Sequence, residues 1–236
     1  MEAKYGLAFD LEGSVIDFER NGHHAAHLRC AKAVGLTLTL DEAIRTIPHF
    51  LGGPDETIAL DLYDLGNKKL NPEEIKEMKD KLFAEWLKKQ KVLPTRVGIF
   101  DFLEQAKQQG IPIAIGSATE KGKVYDYIAR AGLGKFFSPR LTITGEDVIH
   151  TKPAPDIYLE VAKRLEVIPQ NLIVFEDSAR GVQAGRGAGA YVIGMPVYYT
   201  PEVIQKLKEA GAHEVYAGWN EVNLTSILES VFNRTL

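Results

Sequence analysis

Apolar residues occur along this chain in two rhythms. Short unbroken runs, Tyr5 to Phe9, Ile111 to Ile115, Leu172 to Phe175 and Tyr191 to Ile193, are each bounded by turn residues and predict strands buried on both faces. Between them apolar positions recur at helical spacing. One helix is predicted over 99–108, stopped by Gly110, and another over 157–165, entered after Pro153 and Pro155. Strand and helix in alternation predict an α/β fold, a doubly wound parallel sheet forming a Rossmann-like core.

From about Ile16 to Lys91 the alternation stops and helix follows helix with no convincing strand. Ile75, Met78, Leu82, Trp86 and Leu87 share one face of a helix that begins after Asn71-Pro72. Glu73 and Glu74 lie near its positive end, and Lys88 and Lys89 near its negative end. The expected organisation is an α/β catalytic core over 1–15 and 95–236 with an inserted all-helical cap over 16–94. Val92-Leu93-Pro94 is the expected return hinge, and an insert that leaves the chain just after the first strand is placed to serve as a lid.

Composition narrows the partners. The chain has 236 residues and a formal charge of −4, its pI is near 5.9, and its Lys and Arg residues form no sustained basic run, which argues against nucleic acid. Cys30, the lone cysteine, cannot form an internal disulfide. No apolar stretch approaches the roughly 20 residues of a membrane helix. No charged-then-apolar leader precedes Asp10, so a cytoplasmic protein without a membrane partner is expected.

Candidate chemistry gathers where the strands should end, the place where open parallel sheets bind ligands. Leu7-Ala8-Phe9-Asp10-Leu11-Glu12-Gly13 delivers two acids into a glycine-containing turn, and Ile173-Val174-Phe175-Glu176-Asp177 repeats the theme. Ile113-Ala114-Ile115-Gly116-Ser117-Ala118-Thr119 finishes in hydroxyls, and Thr151-Lys152-Pro153 sets a cation before a helix. Adjacent carboxylates are costly without a compensating cation. A nucleophilic acid, a cation, hydroxyl donors and a hard-oxygen metal site are the parts that phosphoryl transfer needs. Taken singly these residues fit turns, helix caps and solvated surface; their order and shared strand-end placement favour one site.

These ordered motifs, Phe9-Asp10-Leu11-Glu12-Gly13-Ser14, Ser117, Lys152-Pro153-Ala154-Pro155-Asp156 and Phe175-Glu176-Asp177-Ser178 followed by Gly181, Ala184 and Ala188-Gly189, resemble the haloacid dehalogenase-like hydrolases over essentially the whole chain. The similarity is to the phosphatase and phosphoglucomutase-like branch with a helical cap. It implies a Mg²⁺-dependent phosphatase acting on a small phosphorylated metabolite, with Asp10 as the nucleophile that forms an aspartyl-phosphate. Ser117, Ala118, Thr119 and Lys152 would surround the phosphoryl group, with His23 and Gly53 as further substrate contacts. Asp10, Asp177 and the backbone carbonyl of Glu12 would hold Mg²⁺, with Glu176 bound to the metal or one step behind it.

The resemblance also implies that Glu12 is the general acid and base, a departure from the Asp found in most of the family's phosphatases. A similar Glu occurs in its enolase-phosphatase group. An acid here argues against the dehalogenases and phosphonate hydrolases, which carry a neutral residue. In Leu51-Gly52-Gly53-Pro54-Asp55-Glu56 the position matching the mutases' phosphate-gripping Arg is Glu56, which favours a phosphatase over a sugar-phosphate mutase, although Arg45 or a cap Lys would compensate. A mutase and a catalytically idle phospho-ligand binder remain the alternatives, and a monomer or homodimer is expected.

Three further signals are weaker. His23 and His27 share a helical face at metal-binding spacing, but no third ligand is evident, and a core-facing or solvated helix is the plainer reading of His23, His24 and His27. Gly181, Gly185, Gly187 and Gly189 suggest a helix packed tightly on the sheet rather than a phosphate loop. Tyr198, Tyr199 and Trp219 are expected to pack.

Overall fold

The computed structural model describes residues 5–234. Their contacts divide the chain into two compact units, one running to Asp17 and resuming at Val92, the other Phe18–Lys91. Residues 16, 17 and 92–94, expected with the helical insert, therefore belong to the α/β unit. The reason is backbone pairing: Ile16 forms an antiparallel bridge with Thr95, the Asp17 N–H donates to Pro94 O at 2.8 Å, and the Arg96 N–H donates to Val15 O at 2.8 Å.

Among the described residues of the α/β unit six strands, β1 (Gly6–Phe9), β2 (Ile113–Gly116), β3 (Thr142–Ile143), β4 (Leu172–Glu176), β5 (Tyr191–Gly194) and β6 (Glu214–Val215), form one sheet in the order β3-β2-β1-β4-β5-β6. Every pairing is parallel. The edge strands β3 and β6 are two residues each, too short to register as apolar runs. The order reverses at β1, which pairs with both β2 and β4, so the crevice at their C-terminal ends is the topological switch point.

Alternation along the strands sorts the two faces. Ala8, Ala114, Val174 and Val192 pack with Ile157, Val161 and Val182 of the helices Asp156–Leu165 and Ala179–Gly187. Phe9 and Phe175 turn to the other face, stacked with ring centroids 5.1 Å apart, and meet Phe102 and Trp219. Trp219 is buried, as expected for packing, whereas Tyr199 is exposed, because it lies in the loop beyond β5 rather than in an element. In the helix Ile99–Gln108 the buried residues Ile99, Phe102, Leu103 and Ala106 fall on one stripe.

The other unit contains a π-helical turn, Glu19–His23, and four α-helices: α1 (His24–Ala33), α2 (Leu40–Thr46), α3 (Asp55–Leu65) and α4 (Pro72–Lys89). A capping box between Asn71 and Glu74 starts α4, with Pro72 in its first turn. Its fully buried residues are Ile75 and Lys79, and Met78 and Leu82 of the expected apolar face are partly buried against the same core. Lys79 is neutralised by Asp55 of α3, whose second oxygen accepts from His27 Nε2 at 3.1 Å. Among the described residues no helix is long and apolar enough to cross a membrane.

His24 is buried and stacks on Phe50 at 5.1 Å. Burial pushes its imidazole pKa down to about 3, and the neighbouring charges of His27, His23, Arg20 and Lys79 act in the same sense. Burial also lowers His27. An unfolded histidine takes up its proton near pH 6.5, at about 1.4 kcal/mol per pH unit of difference. The stability each buried neutral ring contributes is thus complete above about pH 6.5 and is lost as pH falls towards the folded value. Thermal unfolding of the wild type from pH 7.5 to 4.5 is expected to show a falling Tm. In His24→Phe, which keeps the stacking, the fall should be shallower; an unchanged slope would assign it elsewhere.

Candidate active site

Strand parity aims the acids. Asp10 continues β1 with its N–H donating to Phe175 O at 3.0 Å, so its side chain turns to the same face as Ala8. Glu176 ends β4 in the parity of Val174. Both carboxylates therefore meet Lys152, which precedes the helix Asp156–Leu165 across a cis Lys152-Pro153 bond. Lys152 Nζ lies 2.5 Å from Asp10 Oδ1 and 2.6 Å from Glu176 Oε1, and all three side chains are buried. Tyr158 from the same helix donates its hydroxyl to Glu176 Oε1 at 2.5 Å, and the Ser178 hydroxyl lies 3.4 Å from Glu176 Oε2.

Two glycines admit this packing. A Cβ on Gly181 would stand 1.9 Å from the Glu176 carboxyl carbon, so the buried carboxylate occupies space that any other residue would fill. Gly13, at φ +83°, makes the turn after β1, and its Cα lies so close to Asp177 that a Cβ would stand 2.2 Å from Oδ2. The Gly181 notch explains that glycine by contact with an acid, beyond the tight helix packing expected from sequence.

Burial raises the Asp10 carboxyl above the usual carboxylate range, the charges of Glu176 and Glu12 add to the rise, and Lys152 opposes it. On Lys152, burial favours the neutral amine but the two acids overcome it and hold the ammonium charged, above its usual value. With one ammonium for two buried carboxyl groups, ionising both leaves a negative charge uncompensated, and the raised Asp10 value reflects that competition. Asp10, Glu176 and Asp177 offer carboxylate oxygens that all lie within 4.8 Å of one another. A hard-oxygen set with excess negative charge fits a small divalent cation such as Mg²⁺.

Glu12, two residues beyond Asp10, is partly exposed, and its Oε1 accepts from the Thr119 hydroxyl at 2.5 Å. The Thr119 N–H in turn donates to Ser117 Oγ at 3.2 Å, and buried Ser117 donates its own N–H to Ile143 O at 2.9 Å. Ala118 is exposed at the loop tip. The strand-end residues singled out in the sequence thus converge in two linked sets, Asp10 with Lys152, Glu176 and Asp177, and Glu12 with Thr119 and Ser117.

His23 and Gly53 belong to the helical unit. The His23 ring stacks on Phe83 with centroids 3.8 Å apart, and the Gly53 N–H donates to His49 O at 3.1 Å. Glu56 is exposed and lies 3.8 Å from Lys76. Tyr158, Arg96 and Lys79 escaped the sequence reading. Tyr158 had one usable signal, an aromatic hydroxyl in the first turn of a helix entered directly from Lys152.

The profile of the haloacid dehalogenase-like hydrolases matches residues 7–195. A phosphorylated carbohydrates phosphatase of Thermotoga maritima is 33% identical over 186 residues, 78% of this chain and 81% of that protein. Fructose-1-phosphate phosphatase YqaB of Escherichia coli strain K12 is 29% identical over 185 residues, 78% of this chain and 92% of that protein. The crystal structure of a HAD family hydrolase from Deinococcus radiodurans R1, with bound phosphate and sodium, is 25% identical and superposes with a TM-score of 0.75, covering 98% of each chain. The chain belongs to the haloacid dehalogenase-like hydrolase family. Within it, the chain falls among the phosphoric monoester hydrolases.

Proposed function

We propose that this enzyme hydrolyses the phosphate ester of a small phosphorylated sugar or related metabolite through an aspartyl-phosphate on Asp10, with Mg²⁺ as cofactor. The observation that carries the reading is the buried Asp10–Lys152–Glu176 cluster at the sheet's switch point, with Asp177 alongside. The named relatives act on phosphorylated carbohydrates and fructose 1-phosphate, which supports the substrate class.

In this reading Asp10 attacks phosphorus and the ester oxygen leaves with a proton from Glu12. Lys152 and Ser117 hold the non-bridging oxygens, and Glu12, now ionised, takes a proton from the water that opens the acyl phosphate. Mg²⁺, held by Asp10, Asp177 and the Glu12 carbonyl with Glu176 behind or beside them, would neutralise charge on the transferred group. The hydrogen bond from Thr119 gives the longer Glu12 side chain a fixed anchor. Phe18–Lys91 serves as the substrate-selecting cap in this reading, which also takes the enzyme as cytoplasmic and as a monomer or homodimer.

The test is phosphate release from p-nitrophenyl phosphate and a panel of hexose and pentose phosphates, with Mg²⁺ and with a chelator. Mg²⁺-dependent release, fastest on a sugar phosphate, is expected. Transfer of phosphate to a second sugar hydroxyl without release would make the enzyme a mutase, and ligand binding without turnover would make it an idle binder.

A further inference from the structure

Arg96 is a buried cation outside the acidic cluster, and its contacts join places far apart in the sequence. One guanidinium nitrogen donates to Gly13 O at 3.0 Å and to Met195 O, and the other donates to Ala217 O at 2.9 Å. These carbonyls lie in the segments that follow β1, β5 and β6, all at the C-terminal end of the sheet. The planar five-donor fork of Arg suits three acceptors that converge from different directions; a Lys ammonium is a single donor centre.

The same residue also grips the turn through its backbone, where its N–H donates to Val15 O. Within that turn the Gly13 N–H donates to Ile16 O, and the Val15 and Ile16 N–H groups both donate to Leu11 O. Trp219 adds a bond from Nε1 to Ser14 O at 3.0 Å. Residues 11–16 are thus held from outside at Gly13, Ser14 and Val15, while Gly13 rests directly against the Asp177 carboxylate. A shift of the Gly13 peptide would move Glu12 and press on Asp177 together.

We propose that Arg96 is a positioning residue for the reaction: by lashing the turn after β1 to the ends of β5 and β6, it fixes Glu12 relative to Asp10 and Asp177. This rests on the phosphatase reading given above. Misplacement of a reacting group by a fraction of an ångström to an ångström costs rate rather than ground-state binding.

The test uses Arg96→Ala and Arg96→Lys in the full chain, assayed with p-nitrophenyl phosphate, with the folded fraction from circular dichroism and Mg²⁺ affinity from calorimetry without substrate. For Arg96→Ala, kcat per folded molecule is expected to fall about 30- to 100-fold with KM within about threefold, and Mg²⁺ to bind about tenfold more weakly. Ethylguanidinium should recover part of kcat. For Arg96→Lys, a loss of about threefold to tenfold in kcat at near-native Tm is expected. A merely structural Arg96 would lower Tm and the folded fraction but leave kcat per folded molecule and Mg²⁺ affinity as in the wild type, and that result overturns the proposal. If Arg96→Ala does not fold, Arg96→Lys decides by the same criteria. A wild type without ester hydrolysis refutes the phosphatase reading separately, and the calorimetric arm still judges Arg96.

Discussion

Asp10→Asn is expected to lower kcat by about 10⁴-fold or more without loss of the fold. Asn has the same shape but no anionic oxygen with which to form the acyl phosphate. Its amide oxygen can still accept from Lys152, which is 2.5 Å from Asp10 in the wild type. The substitution also removes one of two buried acids that compete for one ammonium, an acid whose burial already raises its pKa. The Tm of Asp10→Asn should therefore equal or exceed that of the wild type. Phosphate release and thermal unfolding on the same preparations check both halves; turnover within tenfold of the wild type would remove Asp10 from the role of nucleophile.

Lys152→Met should be the most damaging change at a cation. It leaves Asp10 and Glu176 buried side by side with no ammonium between them, at a cost of about 3–5 kcal/mol at neutral pH. Activity should fall by at least about 10³-fold, because the clamp on the phosphoryl oxygens is lost and the nucleophile is protonated over more of the pH range. The pH dependence follows from the direction of the Asp10 shift. A carboxyl raised on folding contributes stability below its unfolded pKa and loses it as pH rises through the folded value. Without Lys152 that rise is larger, so the stability difference between wild type and variant should widen from pH 5 to pH 8. Denaturant unfolding at the two values checks this; a constant difference would show that the acids in the variant have found another counter-charge.

The acids at the strand ends were legible because β1 and β4 are unbroken apolar runs that stop at a charge, and chain order set the remaining motifs beside them. The helix Ile99–Gln108 and the start of α4 were legible too, since local spacing and a capping pair specify them. What stayed hidden depends on partners distant in sequence. Lys79 is buried because Asp55 neutralises it from 24 residues away. Tyr158 matters through Glu176, and Arg96 through carbonyls up to 121 residues downstream. The strands β3 and β6 are pairs of residues whose strand character comes from the neighbours they extend.

The position of β1 has a consequence for biosynthesis. Among the strands of this sheet it comes first in chain order, ending at Phe9, yet it lies inside the sheet between β2, which begins at Ile113, and β4, which begins at Leu172. At a ribosomal rate on the order of 10 residues per second, its first partner emerges roughly 10 s later, and its second later still. Phe18–Lys91, whose helices make contacts closer in sequence, is complete well before then. The segment carrying Asp10 is thus synthesised before both strands that fix it, and the apolar run Leu7-Ala8-Phe9 is the stretch that a nascent chain must keep from pairing wrongly in the interval.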